Sequence, residues 1–209
     1  MHISDGVLPL AVTIGGYVAG AGLAAWSARR TNSEDLPKVA VVTAAFFVAS
    51  LIHVPLGPTS AHLLMPGLAG ALLGPSAFLS IGLGLLLQSL LFQFGGLTAL
   101  GANALMMGVP AVACGWFFQK YKGRTQLRQA IIGGLAGASG TALAAVILAI
   151  LLATGGEDFY GVAKIALLAH VPVIIIEGIV SAFTIGFMAR VKPALLQQPF
   201  LRQAGATHG

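Results

Sequence analysis

The chain has 209 residues, 57% of them hydrophobic and 8% charged, with a formal net charge of +5 and a mean hydropathy of +0.91. A soluble domain carries about 25% charged residues to hold its surface in water. Eleven bases and six acids therefore exclude a soluble enzyme, a secreted scaffold and a nucleic-acid-binding domain, and the apolar surplus excludes disorder.

What remains is an all-α integral membrane protein in the cell (inner or cytoplasmic) membrane. The opening, MHISDGVLP, has no basic leader and includes Asp5, unlike a signal peptide, so Met1 is expected to be the mature first residue. Apolar stretches follow at approximately 8–28, 39–56, 62–74, 76–94, 99–118, 130–153 and 164–189. A crossing helix needs about 20 apolar residues, and all but 62–74 qualify by length. That short stretch ends at Gly74-Pro75, where the ring and the missing donor stop a helix.

Charge placement decides whether 62–74 crosses. Arg29, Arg30 and Lys38 flank one loop; Lys120, Lys122, Arg124 and Arg128 fill another; Arg190, Lys192 and Arg202 follow the last helix. Basic loops mark the cytoplasmic side, so residues 39–118 must cross an even number of times, and four crossings require that 62–74 spans. The expectation is a bundle of seven transmembrane helices, N-terminus outside and C-terminus cytoplasmic. Residues 1–193 form the membrane domain and 194–209 a cytoplasmic tail.

No internal repeat supports an inverted-repeat transporter. Glycines recur at Gly16-x-x-x-Gly20, Gly70-x-x-x-Gly74 and Gly133-x-x-x-Gly137, spacing that lets helix backbones approach closely in lipid. Gly16, Gly20, Ala24 and Ala28 make a continuous small stripe on the first helix, suited to docking another helix. The single cysteine, Cys114, lies in an apolar run and is expected to be a small core residue.

The polar residues at membrane depth are few. His2, His53, His62 and His170 all fall on the outer side of this topology, and neutral imidazole is the commonest transition-metal ligand. His2 has a further property. A metal on the Met1 α-amine and the His2 amide nitrogen closes a five-membered ring, and a six-membered ring continues from that amide to Nδ1 of His2. Three nitrogens then lie in one plane, with a fourth donor left to His62 or His53. Tetragonal nitrogen sites suit Ni(II) and Cu(II). Glu177 is seven residues after His170 on one helix face, either as a proton-relay partner or as a hydrogen-bonding tie between helices. Gln88, Gln93, Thr98 and Asn103 are either groups orienting ligands or interhelical hydrogen bonds. No G-x-x-x-x-G-K-[ST] stretch is present to cradle ATP.

The opening, Met1-His2-Ile3-Ser4-Asp5-Gly6-Val7-Leu8-Pro9, resembles the MHI-x-[DE]-G-x-LP start of the CbiM/NikM family, the substrate-capture subunits of energy-coupling-factor transporters for cobalt and nickel. Gly57-Pro58-Thr59-Ser60-Ala61-His62 is similar to the family's serine-rich segment ending in histidine. Phe94 through Asn103 resembles its GG-x-x-x-LG-x-N stretch, and His170-Val171-Pro172 through Glu177-Gly178 its last helix. The resemblance runs from residue 1 to about 193; one departure is Leu63-Leu64 after His62, where many relatives have Pro-Thr-Gly. It implies a terminus inserted into the bundle from outside and a metal ligand set of Met1, His2 and His62. His53, Ser60, Gln93, Asn103, His170 and Glu177 then stand as surrounding or pathway residues.

The expected function is a subunit of an ATP-driven importer that captures Ni²⁺ or Co²⁺ and catalyses no reaction itself. The ion is its substrate, with no catalytic cofactor. Its expected partners are a transmembrane coupling (T) component, two ATPase subunits and a small separate companion subunit, all in the lipid bilayer and without nucleic acid. Two alternatives compete: a self-sufficient proton-coupled permease using His170 and Glu177, and a non-transporting membrane scaffold assembled through the first-helix stripe.

Overall fold

The computed structural model describes residues 2–51, 53–56, 59–63 and 65–197, with residues 53–56 and 59–61 described in their backbone only. Met1 and residues 198–209 lie outside the described residues. The elements, in chain order, are α1 (Leu10–Arg29), α2 (Leu36–Ser50), β1 (His53–Leu56), β2 (Thr59–His62), α3 (Pro66–Leu73), α4 (Ala77–Phe92), α5 (Leu100–Tyr121), α6 (Gln126–Ala153) and α7 (Tyr160–Val191).

The packing is that of a protein solvated by lipid. Large apolar side chains such as Leu10, Val18, Leu168, Phe183 and Phe187 point outward. Small residues line the helix contacts: Gly133, Gly134 and Gly137 of α6 face Ile185, Ala182 and Ser181 of α7. Apolar side chains gain nothing by leaving lipid for one another, so close backbone approach has to hold such helices together. Among the described residues, five segments are long and apolar enough to cross a membrane: Leu10–Arg29, Pro66–Phe92, Leu100–Tyr121, Gln126–Ala153 and Glu157–Val191. Pro110 and Pro172 sit inside α5 and α7, tolerated because neighbouring helices and side chains re-satisfy the freed carbonyls.

The expected set of seven full-length spanning helices is corrected on two points. α2 stops at Ser50, and an antiparallel hairpin, β1–β2, follows with His53 opposite His62. α3 then has only eight residues, about 12 Å of rise against a hydrocarbon core of about 30 Å. Such a half-helix is allowed because it touches protein on every side: all its residues are buried. Gly67 lies against the Ala136–Gly137 backbone, and Gly70 against the Ala111 carbonyl.

The apolar run Pro66–Phe92 is not one straight helix but reverses direction at its middle. His62, just before α3, meets His2, and Phe94, just after α4, also meets His2. Between them, the Leu72 carbonyl accepts from Lys38 Nζ at 2.7 Å and the Pro75 carbonyl from Ser27 Oγ at 2.7 Å. The chain therefore reverses through the 3-10 turn Gly74–Ser76.

The basic residues gather at the end opposite His2. Lys38 Nζ also donates to the Gln197 carbonyl at 3.1 Å, and Lys122 Nζ to the Leu196 carbonyl at 3.1 Å. Leu196 is buried within the turn Pro193–Leu196.

Candidate metal site

His2 and His62 converge from opposite directions. His62 arrives at the end of β2, and its Nδ1 donates to the Leu63 carbonyl at 2.8 Å, since a carbonyl can only accept. That fixes the tautomer of a neutral ring and leaves the lone pair on Nε2. His62 Nε2 lies 3.1 Å from His2 Nε2, with ring centroids 4.7 Å apart. The His2 ring thus donates from Nε2 and carries its own lone pair on Nδ1. Both rings are buried, at 4% and 3% exposure.

Three contacts seat the segment that carries His2. Asn103, near the start of α5, accepts from Ile3 N at 2.9 Å and donates from Nδ2 to Ile3 O at 3.1 Å. An amide side chain offers one acceptor and one donor edge, which match the two groups of one peptide residue. The turn before α5 supplies the space: Gly95 has φ +77, and a Cβ there would stand 2.9 Å from His2 Cβ. Phe94 covers the imidazole, ring centroids 6.3 Å apart.

Asp5 makes the third contact. Its Oδ1 accepts from the Thr98 backbone N–H at 2.8 Å and from the Thr98 hydroxyl. Its carboxylate occupies the place a Cβ on Gly96 (φ +66) would take. The Thr98 hydroxyl, outweighing slight burial and helped by the backbone N–H groups of Thr98, Ala99 and Leu97, holds its carboxyl below the usual carboxylate range. Sequence reasoning missed Asp5 and Thr98 as contact partners. The signal was the coincidence of two motifs, the acidic position of the opening and the Gly-Gly-containing stretch, which prove to be two halves of one seat.

Of the other sequence-predicted residues, His53 pairs with His62 across the hairpin, and Ser60 pairs with Pro55. Their side chains lie outside what is described. Gln93 is exposed, with φ 56, and ends α4. It is not brought to the imidazole pair by any described contact. His170 is fully buried in α7, its Nδ1 donating to the Ala166 carbonyl at 2.6 Å. Glu177 ties three helices: one oxygen accepts from Met65 N, the residue opening α3, at 2.9 Å, and the other from the Thr141 hydroxyl of α6.

The small stripe on α1 is partly spent inside the chain. Gly16 and Gly20 pack on Ala102 and Gly101 of α5. Ala24 is half-buried and Ala28 exposed.

Among the described residues, no three His, Cys, Asp or Glu side chains converge to hold a metal ion.

The sequence profile of the CbiM family, described as the cobalt uptake substrate-specific transmembrane region, matches residues 2–195. A Haemophilus influenzae protein with a metal-transport designation is 35% identical over 201 residues, covering 95% of this chain and 98% of the relative. The fused nickel transport protein NikMN of Rhodobacter capsulatus is 32% identical, covering 94% of this chain and 64% of the relative. A crystal structure of a transition metal transporter superposes over the full length of both chains with a TM-score of 0.75 at 23% identity, which is a likeness of fold. The chain is a multi-pass membrane protein and belongs to the CbiM family, the substrate-specific transmembrane component of cobalt and nickel uptake.

Proposed function

We propose that this chain captures Ni²⁺ or Co²⁺ from outside through the Met1 amine, the His2 amide nitrogen, the His2 imidazole and His62. The observation that carries the reading is the buried contact between His2 and His62, at 3.1 Å, with Nδ1 of His62 already committed to the Leu63 carbonyl. A planar chelate closes through Nδ1 of His2. A half-turn of that ring about Cβ–Cγ moves Nδ1 to the position of Cδ2, the atom bonded to Nε2, and so beside His62. Amide deprotonation favours Ni(II) over ions that prefer oxygen ligands.

The basic end of the bundle is the cytoplasmic one by the positive-inside rule, which puts the His2 end outside. Four passes between α2 and α5 keep Lys38 and Lys122 at one end, as that orientation requires. The ion moves inward when a separate coupling component and two ATPase subunits reorient this subunit. A small companion subunit fits the same scheme, since the match covers only 64% of the fused Rhodobacter relative.

The test is equilibrium binding of Ni²⁺ to the purified chain bearing its native N-terminus, beside His62→Ala. Stoichiometric binding lost in His62→Ala supports the assignment. Equal binding by both removes His62 from the site.

A further inference from the structure

The chelating arm is only two residues long beyond Ile3, so its affinity depends on how firmly residues 3–5 are seated. Asp5 is exposed and three residues from His2, too far along the chain to share its coordination ring. Yet its carboxylate is aimed at a specific partner. α5 begins after Ala99, which has no capping side chain of its own. The backbone N–H of Thr98 and the Thr98 hydroxyl both point at Asp5. The open N-terminal end of a helix carries unpaired N–H groups and partial positive charge. Asp5, from a distant part of the chain, sets a carboxylate beside that end by bonding Thr98, the residue before the helix cap Ala99. Gly96 leaves room for it, since a Cβ at that position would overlap the carboxylate.

We infer that Asp5 is a positioning residue for metal capture: it bonds the turn that leads into α5 and thereby locks the N-terminal arm against His62. A ligand arm docked for only a fraction of the time binds with its affinity reduced by that fraction. The consequence for metal rests on the chelate reading above, but the docking contact does not. Losing a charge-assisted hydrogen bond of this kind corresponds to about a tenfold change in an equilibrium constant.

The experiment uses the full chain with its native N-terminus in detergent. In the metal-free protein, acylation of the Met1 amine by a small amine-reactive reagent is followed by the mass of the N-terminal peptide. Asp5→Ala is expected to speed acylation about tenfold and Asp5→Asn less, because its amide oxygen still accepts from Thr98. Thr98→Val is expected to speed it on its own and to add little in the Asp5→Ala background, as coupled partners do. Nickel titration of Asp5→Ala should show about a tenfold weaker Kd with the absorption bands at saturation unchanged. Unchanged acylation in Asp5→Ala, or additive effects of the two substitutions, overturns the docking role. Shifted bands at saturation overturn it in another way, by making Asp5 a ligand. If the wild-type chain binds no nickel, the chelate reading fails while the acylation rates still decide the role of Asp5.

Discussion

Asn103 bonds both backbone groups of Ile3, accepting from its N–H at 2.9 Å and donating to its carbonyl at 3.1 Å. The two residues are 100 apart in sequence, and both are buried. This pairing fixes the segment that carries His2 to the bundle. Asn103→Asp keeps the acceptor and loses the donor, leaving the Ile3 carbonyl buried without a partner at a cost of about 1–3 kcal/mol. The expected outcome is weaker nickel binding with little loss of helix content, checked by titration and circular dichroism. Equal affinity in Asn103→Asp would deny the arm's dependence on this pair.

Glu177 is expected to act as a structural tie. Its carboxylate satisfies the Met65 N–H that opens α3 and the Thr141 hydroxyl. Glu177→Gln retains an acceptor for Met65 and is expected to keep uptake in the assembled transporter. Glu177→Ala orphans a buried N–H and should lower stability by about 1–3 kcal/mol, read as a lower thermal midpoint in detergent. A proton-coupled permease predicts the reverse ranking of evidence: Glu177→Gln, which cannot carry a proton, would abolish uptake without touching stability.

The half-helix α3 makes its own prediction. A methyl on Gly70 would run into the Ala111 carbonyl, a backbone atom that cannot swing aside. Gly70→Ala should destabilise by about 1–3 kcal/mol or more. Gly82→Ala, with open space around the added atom, should leave the thermal midpoint unchanged. Similar midpoints for the two would mean that α3 is not wedged at the centre of the bundle.

These particular residues show what the sequence could and could not reveal. Lipid demands long apolar helices, so α1, α4, α5, α6 and α7 were legible as runs, and the loop lysines and arginines marked one end. The β1–β2 hairpin was not, and α3 was legible only as part of a longer crossing helix expected over 62–74, because short segments buried in protein are exempt from the lipid's length requirement. His2 and His62 were legible from chelate chemistry and from the family likeness. Asp5 was not, since its meaning depends on Thr98, 93 residues away. The interior use of Gly16 and Gly20 was equally hidden, because small-residue spacing does not say which helix it faces.

The depressed acidity of Asp5 sets a pH window. A carboxyl held below its ordinary value of 3.8 contributes to docking fully above that value, and its contribution is lost as pH falls through the lower, docked value. Arm docking, read by acylation protection measured after brief incubation at each pH, should therefore persist unchanged from pH 7 to about 5. Nickel occupancy should fall earlier, because protons compete directly for amine, amide and imidazole nitrogens. Loss of protection in step with loss of nickel would show that the arm undocks first.

The most direct measurement is nickel binding by the chain with a free Met1 amine against the same chain acetylated at that amine. One added acetyl group removes the terminal donor and breaks the five-membered ring, while leaving His2, His62 and the bundle in place. The predicted result is a single tight site in the free chain and its loss in the acetylated one, at equal thermal stability. Equal binding by the acetylated chain would contradict a site built on the chain's own first residue.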